Sequence, residues 1–247
     1  MRTYTRFTTS MLMFLSGSLL LAPTSLLAHD IKLLPDGDGY VVAYGHGDKW
    51  DAYKTTKVKS ASGYDGSGKS FPIAVEKREL PFAGLPGKLS DDAGRIKTAN
   101  AGMVTVLFDD GYWTHTDDGW ANQSKKYFKT YKESGHYWYY TKTLFKWSAA
   151  YAKPAGLDLE LVPLADPWDK NLTSLPIQLL HKGKPMANAE VELEGHTDLF
   201  TTDAQGKTSI PLHASGLHYI GASYKEKLAN DPDRDEFEVT TNLRFTR

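Results

Sequence analysis

Leu26-Leu27-Ala28-His29-Asp30 sets a histidine immediately behind the point where a secretory leader would be cut. If cleavage follows Ala28, His29 becomes the first residue of the mature chain. Its free α-amine and imidazole Nδ1 can then close a chelate ring on a transition metal, because both groups give up protons near neutral pH when a metal competes for them. No internal histidine offers that pair. Three further histidines stand in settings that suit a ligand. His46, in Tyr44-Gly-His-Gly-Asp48, follows a strand-like run, and its flanking glycines let the backbone turn and the ring approach another group closely. If the first two strands are neighbours, it returns to the terminus as a third nitrogen. Asp48 and Asp51 beside it offer an oxygen ligand or a hydrogen bond that fixes an imidazole tautomer. His115, in Tyr112-Trp-Thr-His-Thr-Asp-Asp-Gly-Trp120, and His136, in Ser134-Gly-His-Tyr-Trp138, each offer one more nitrogen, and the sequence does not choose between them. The metal set is therefore His29, His46, His115 and His136, each with the plainer alternative of a turn residue bonded to backbone or solvent. His181, His196, His213 and His218 belong to the second half of the chain and read as half-buried or surface residues of a sandwich.

The chain contains no cysteine, so a metal must be held by nitrogen and oxygen, donors that suit Ni²⁺, Co²⁺, Cu²⁺ and Zn²⁺ alike. No Gly-x-Ser-x-Gly, phosphate loop or zincin helix marks a hydrolase or nucleotide enzyme. The tryptophans, from Trp50 to Trp147, read as aromatic packing in a β core, with a flat sugar-stacking face as the alternative.

Residues 1–28 have the layout of a cleaved signal peptide: Arg2 and Arg6, an apolar run from Met11 to Ala22, Pro23 as a breaker, and a small residue at Ala28. The run is too short to span a bilayer. An exported, periplasmic protein is expected, with no membrane insertion of the mature chain. Without Arg2 and Arg6 the 29 basic residues fall to 27 against 30 acidic ones, a balance that argues against a nucleic-acid partner.

Behind the leader the expected fold is all-β, in two segments. Residues 29–165 form an aromatic-rich N-terminal β domain that carries the metal site. Ile31 and Leu33, Tyr40–Tyr44 and Met103–Phe108 read as strands bounded by Gly and Asp turns. Asp117-Asp118-Gly119 reads as a hairpin turn. A helix is an option over Lys125–Lys132, but Tyr137–Phe145 has the content of a strand. Residues 166–247 form an antiparallel β-sandwich, with Leu175–Leu180, Ala189–Leu193, Thr208–Leu212, Tyr219–Ser223 and Phe237–Leu243 spaced by short turns. Leu157–Val162 alternates just before it.

Four stretches appear in order: Gly156-Leu-Asp-Leu-Glu-Leu-Val-Pro-Leu-Ala-Asp-Pro167, Gly183-Lys-Pro-Met-Ala-Asn-Ala-Glu-Val191, Thr202-Asp-Ala-Gln-Gly206 and Ser215-Gly-Leu-His-Tyr-Ile220. With Ala28-His-Asp-Ile-Lys-Leu-Leu-Pro35 and Gly45-His46, this chain resembles the DUF4198 family, exported proteins described as periplasmic components of cobalt or nickel uptake systems. The resemblance implies a transthyretin- or Ig-like sandwich in the second segment and a metal-related role outside the cytoplasm. The partner would be a membrane transporter or an outer-membrane receptor. Tyr224 stands where relatives are expected to carry His, so no ligand is taken from that strand. The expected function is metal binding for nickel or cobalt uptake rather than catalysis. The alternatives are a copper histidine-brace oxidase acting on polysaccharide, and a metal-free adhesion or scaffold module.

Overall fold

The computed structural model describes residues 29–46, 49–78, 93–193 and 198–247, without the side chains of His46 and Lys49. The leader read at 1–28 and His196 lie outside the described residues. In chain order the strands are β1 (Asp30–Asp36), β2 (Gly39–His46), β3 (Lys49–Trp50), β4 (Val58–Tyr64), β5 (Ser70–Pro72), β6 (Val75–Arg78), β7 (Ala93–Ile96), β8 (Met103–Thr116) and β9 (Gly119–Ala121). They continue as β10 (Glu133–Leu144), β11 (Leu159–Pro163), β12 (Ser174–His181), β13 (Lys184–Pro185), β14 (Glu190–Leu193), β15 (Asp198–Thr201), β16 (Lys207–Pro211), β17 (Leu217–Lys227) and β18 (Glu236–Thr246). Among the described residues only short 3-10 turns interrupt them, so the fold is all-β.

The first two strands form a hairpin that carries the candidate site at its open end. Gly37 takes φ +60°, a conformation open to glycine at little cost, and the chain reverses between Asp36 and Gly39. Register then runs without a slip to Asp30 opposite Gly45. Ile31, Val42 and Tyr44 are buried in the core beneath the hairpin, and Val41 and Ala43 on the opposite face of β2 are buried as well.

A nine-stranded sheet, ordered β15-β14-β17-β18-β10-β8-β4-β5 with β9 on β8, forms the middle of the molecule. The segments read as 29–165 and 166–247 meet inside this sheet, through a parallel pairing of β10 with β18 that sets Trp138 beside Val239. Successive residues of a strand face opposite ways, and Tyr139 and Tyr140 of β10 enter different cores. Tyr140 packs with Leu161, Ile177 and Val239 against the four-stranded sheet of β11, β12, β13 and β16. Tyr139 packs with Phe108, Tyr44 and Ile31 against the five-stranded sheet of β1, β2, β3, β6 and β7. The result is three stacked β layers with two cores.

Two local expectations are corrected. The helix over Lys125–Lys132 is a single 3-10 turn, Lys125–Tyr127, capped by the Ser124 hydroxyl and then drawn into the sheet region. The strand starting at Met103 does not end at Phe108. It runs to Thr116, with a β-bulge where Asp109 and Gly111 face consecutive residues of β10 and Asp110 is left without a cross-strand partner. Gly111 has φ +84°, which lets the chain pass through the bulge and continue. The hairpin turn at Asp117-Asp118-Gly119 is present, with Thr116 opposite Gly119.

Candidate metal centre

His29 sits at the mouth of the first hairpin, with half of its ring buried. Its Nε2 lies 2.9 Å from Asp51 Oδ2, and its ring stacks on Tyr44, with centroids 4.8 Å apart and planes 13° apart. Asp51 is delivered by the short β2–β3 hairpin. Gly45 pairs with Trp50 there, and the Asp51 amide donates to the Tyr44 carbonyl at 2.8 Å. The carboxylate that the sequence set beside His46 therefore serves His29. His46 lies on the backbone of β2, one residue past the Asp30–Gly45 pair. His29 directly precedes Asp30, so the backbones of His29 and His46 lie at the same open end of the hairpin. The His46 ring lies outside the described residues.

Tyr44 is the platform beneath His29. It is 5% exposed, stacked on Phe108 at 4.7 Å and flanked edge-on by Tyr53 and Tyr139. Its hydroxyl donates to Asp110 Oδ2 at 2.8 Å, and burial, reinforced by Tyr139 and Asp110, drives its pKa far above the ordinary phenol range. It remains a neutral phenol. Asp110, freed by the bulge, also accepts from Trp113 Nε1 at 2.6 Å and from Lys57 Nζ at 2.5 Å. Three donors on one buried carboxylate hold the floor of the site rigid.

Asp30 faces a different set of groups. Asn242 donates to its Oδ1 and Arg244 Nη1 to its Oδ2 at 3.0 Å, and Asn242 also donates to the Ile31 carbonyl at 2.9 Å. Burial raises its carboxyl to about 6, against the opposing pull of Arg244 and Lys32. These contacts tie the first strand to β18 one residue after His29.

The other two candidate histidines are not brought to this place. His115 stacks on Trp120, with centroids 4.7 Å apart, and its Nδ1 lies 3.4 Å from Glu133. It is five residues further along β8 than Asp110, a run of roughly 15 Å at strand geometry. His136 forms a separate network. Its Nε2 is 2.7 Å from Asp109 Oδ1 and its Nδ1 is 2.8 Å from Arg234 Nη1. A guanidinium has only N–H groups to offer, so Nδ1 accepts from Arg234, while Nε2 faces both the Asp109 carboxylate and the Trp138 indole N–H, which donates to it at 3.2 Å. Both ring nitrogens are thus engaged. Burial alone would raise the Asp109 carboxyl, but His136 and the Gly111 amide hold it below its ordinary range.

His213 and His218 pack together, centroids 5.6 Å apart, with His218 stacked on Phe245. His181 stacks on Tyr224. Of the tryptophans, only Trp120 is largely exposed, at 48%, and the others are buried or half-buried. Among the described residues no group of three or more His, Asp or Glu is assembled around one point for a metal.

Sequence reasoning ranked Asp110 no higher than its neighbours and did not single out Tyr44. The available signal was Asp-Asp-Gly inside an otherwise aromatic and β-branched run, where a lone glycine points to a bulge rather than a strand end. No curated protein and no solved structure matches this chain. A family model described as a domain of unknown function matches residues 28–226, which is most of the sequence, and the chain belongs to that family, DUF4198.

Proposed function

We propose that the mature protein is an exported binding protein for a divalent transition metal, with nickel or cobalt as cargo, and that His29 supplies two of the ligand nitrogens. The observation that carries this is the state of the His29 ring. Asp51 occupies Nε2 and Tyr44 covers one face, which leaves Nδ1, the nitrogen able to close a chelate ring with the residue's own α-amine. A carboxylate on the far nitrogen of a ligating imidazole fixes its tautomer and raises its basicity. His46, which follows the Gly45 that pairs with Asp30, supplies the third nitrogen in this reading.

The donor set fits the group: amine, imidazole and carboxylate suit borderline divalent ions, and no thiolate competes. Nickel or cobalt is favoured through the family resemblance, since nitrogen ligands bind copper and zinc as well. A site at an open hairpin mouth, with His29 and Asp51 both about half exposed, suits loading and release to a membrane transporter or outer-membrane receptor.

The test is metal titration of protein beginning at His29 beside protein with one extra residue before it. The extra residue turns the amine into an amide, and Ni²⁺ affinity should fall at least tenfold, about 1.4 kcal/mol. Equal affinity in the two proteins would exclude the terminal chelate.

A further inference from the structure

A second site lies on the other side of the central sheet, away from His29. Trp138, Leu228 and Phe237 wall a cleft of about 230 Å³ into which four charged side chains also face. Two are cationic, Arg234 and Lys182, and two anionic, Asp158 and Glu226. Among the described residues Lys182, Asp158 and Glu226 take part in no ion pair, although they are close enough to share one cleft.

Arg234 is held in place before any ligand arrives. Its Nη1 meets His136 Nδ1 at 2.8 Å, its Nε reaches Asp231 Oδ2 at 3.4 Å, and its guanidinium lies 5.1 Å from the centre of the Phe237 ring. His136 is itself anchored by Asp109 at 2.7 Å and stacked on Tyr112 at 4.4 Å. Among the described residues Nη2 has no partner. A guanidinium fixed on two nitrogens and one face, with the third nitrogen open, is prepared to receive a carboxylate at small entropic cost.

The charges decide what fits. A simple anion would meet Asp158 and Glu226, and a simple cation would meet Arg234 and Lys182. His181 does not tip the balance: it lies close enough to feel Lys182, Asp158 and Glu226, and burial, with Lys182, disfavours its charged form. A molecule carrying both signs satisfies both pairs, its carboxylate on Arg234 and Lys182 and its ammonium on the two carboxylates, with the Trp138 ring able to add cation–π attraction. The cleft is smaller than the roughly 300–1,000 Å³ of pockets for drug-sized ligands, which limits the ligand to a single small unit. We infer that this cleft binds a free amino acid or similar small zwitterion, with the apolar wall taking its side chain. The site is independent of the metal reading.

Calorimetric titration of the full mature chain with glycine, L-leucine and L-phenylalanine, in EDTA so that no metal contributes, tests this. At least one should bind with a dissociation constant of about 1 mM or tighter. Its N-acetyl and carboxamide derivatives, each lacking one charge, should bind at least tenfold more weakly. Glu226→Gln and Lys182→Gln lie at exposed positions that the fold tolerates, and each should also weaken binding at least tenfold. No heat from any of the three up to about 10 mM, or derivatives and variants that bind as well as their parents, would overturn the assignment.

Discussion

Replacing Glu160 with glutamine should strongly destabilise the protein. Lys142 and Glu160 are each 1% exposed, and they join the central sheet to the layer that carries β11. Lys142 Nζ donates to Glu160 Oε1 at 2.5 Å and to the Leu161 carbonyl at 2.9 Å. Glu160 also receives the backbone amides of Ala155 on Oε1 at 2.5 Å, and of Gly156 and Leu157 on Oε2 at 2.9 and 3.1 Å. A glutamine keeps one acceptor oxygen and turns an NH₂ toward donors on the other side. The buried ammonium is then left with one carbonyl and no counter-charge. Removing one partner of a buried pair costs about 3–5 kcal/mol, and for a chain of this size each kcal/mol is worth about 2–4 °C. The melting temperature should therefore fall by roughly 6–20 °C. Lys142→Met should cost less, because the carboxylate keeps its three amide donors. Thermal melts and urea unfolding of both variants provide the assay. A loss under about 1 kcal/mol for Glu160→Gln, or a larger loss for Lys142→Met, would refute the asymmetry.

Asp51→Ala should weaken metal binding by about tenfold in protein beginning at His29, the low end for loss of an orienting carboxylate because both partners are about half exposed; an unchanged affinity in competition titrations would remove Asp51 from the site. His46→Ala should reduce affinity beyond what the one-residue extension does alone, and unchanged binding would exclude it as a ligand. In protein with a residue retained before His29, so that no α-ammonium stands beside Asp30, the carboxyl at about 6 is raised from 3.8. The folded state then takes up a proton that the unfolded chain does not hold, so Asp30 adds stability as pH falls from 7 through 6, up to about 3 kcal/mol once it is complete. His181, lowered by burial, works in the opposite direction but cancels in a comparison with Asp30→Asn. The melting temperature of the parent should rise relative to that variant between pH 7 and 5, and parallel curves would contradict this. Gly111→Ala should cost about 1 kcal/mol or more, because alanine would be strained at φ +84°; circular-dichroism melts measure it.

The hairpin at the start of the chain was legible because every cue agreed. Ile31 and Leu33 alternate, Gly37-Asp38 supplies the turn, and Tyr40–Tyr44 forms a buried run. That register brings the backbones of His29 and His46 to the same end of the hairpin. The second segment was legible for the same reason, since its short strands are spaced by local turns. The pairing of β10 with β18 was not, because it joins residues about a hundred positions apart and no local pattern encodes a parallel neighbour. Alternation also misplaced Glu160: read within Leu157-Asp-Leu-Glu-Leu, it belongs on a solvent face, but β11 is buried along its length. Lys142 from β10 and the amides of residues 155–157 replace the water that alternation assumes.

The floor beneath His29 was hidden by the same kind of long-range contact. Tyr44 belongs to one sheet and Asp110 to another, and their hydrogen bond crosses the core between the layers. Asp110 can reach inward only because the bulge releases it from its ladder position, at a glycine whose φ of +84° makes the bulge inexpensive. Asp51 meets His29 for a related reason. The Gly45–Trp50 pairing turns the short hairpin so that its carboxylate meets the ring already lying flat on Tyr44. Local sequence thus set where His29 falls in the first hairpin, and packing between layers set which carboxylate meets its ring. A substitution at Tyr44 should consequently act on the metal through ring orientation rather than through a ligand. Tyr44→Phe, which keeps the stack and loses only the bond to Asp110, should bind metal as the parent does while losing about 1 kcal/mol of stability. Tyr44→Ala should lose affinity as well. Equal affinity in Tyr44→Ala and the parent would show that the stacked ring contributes nothing to holding His29.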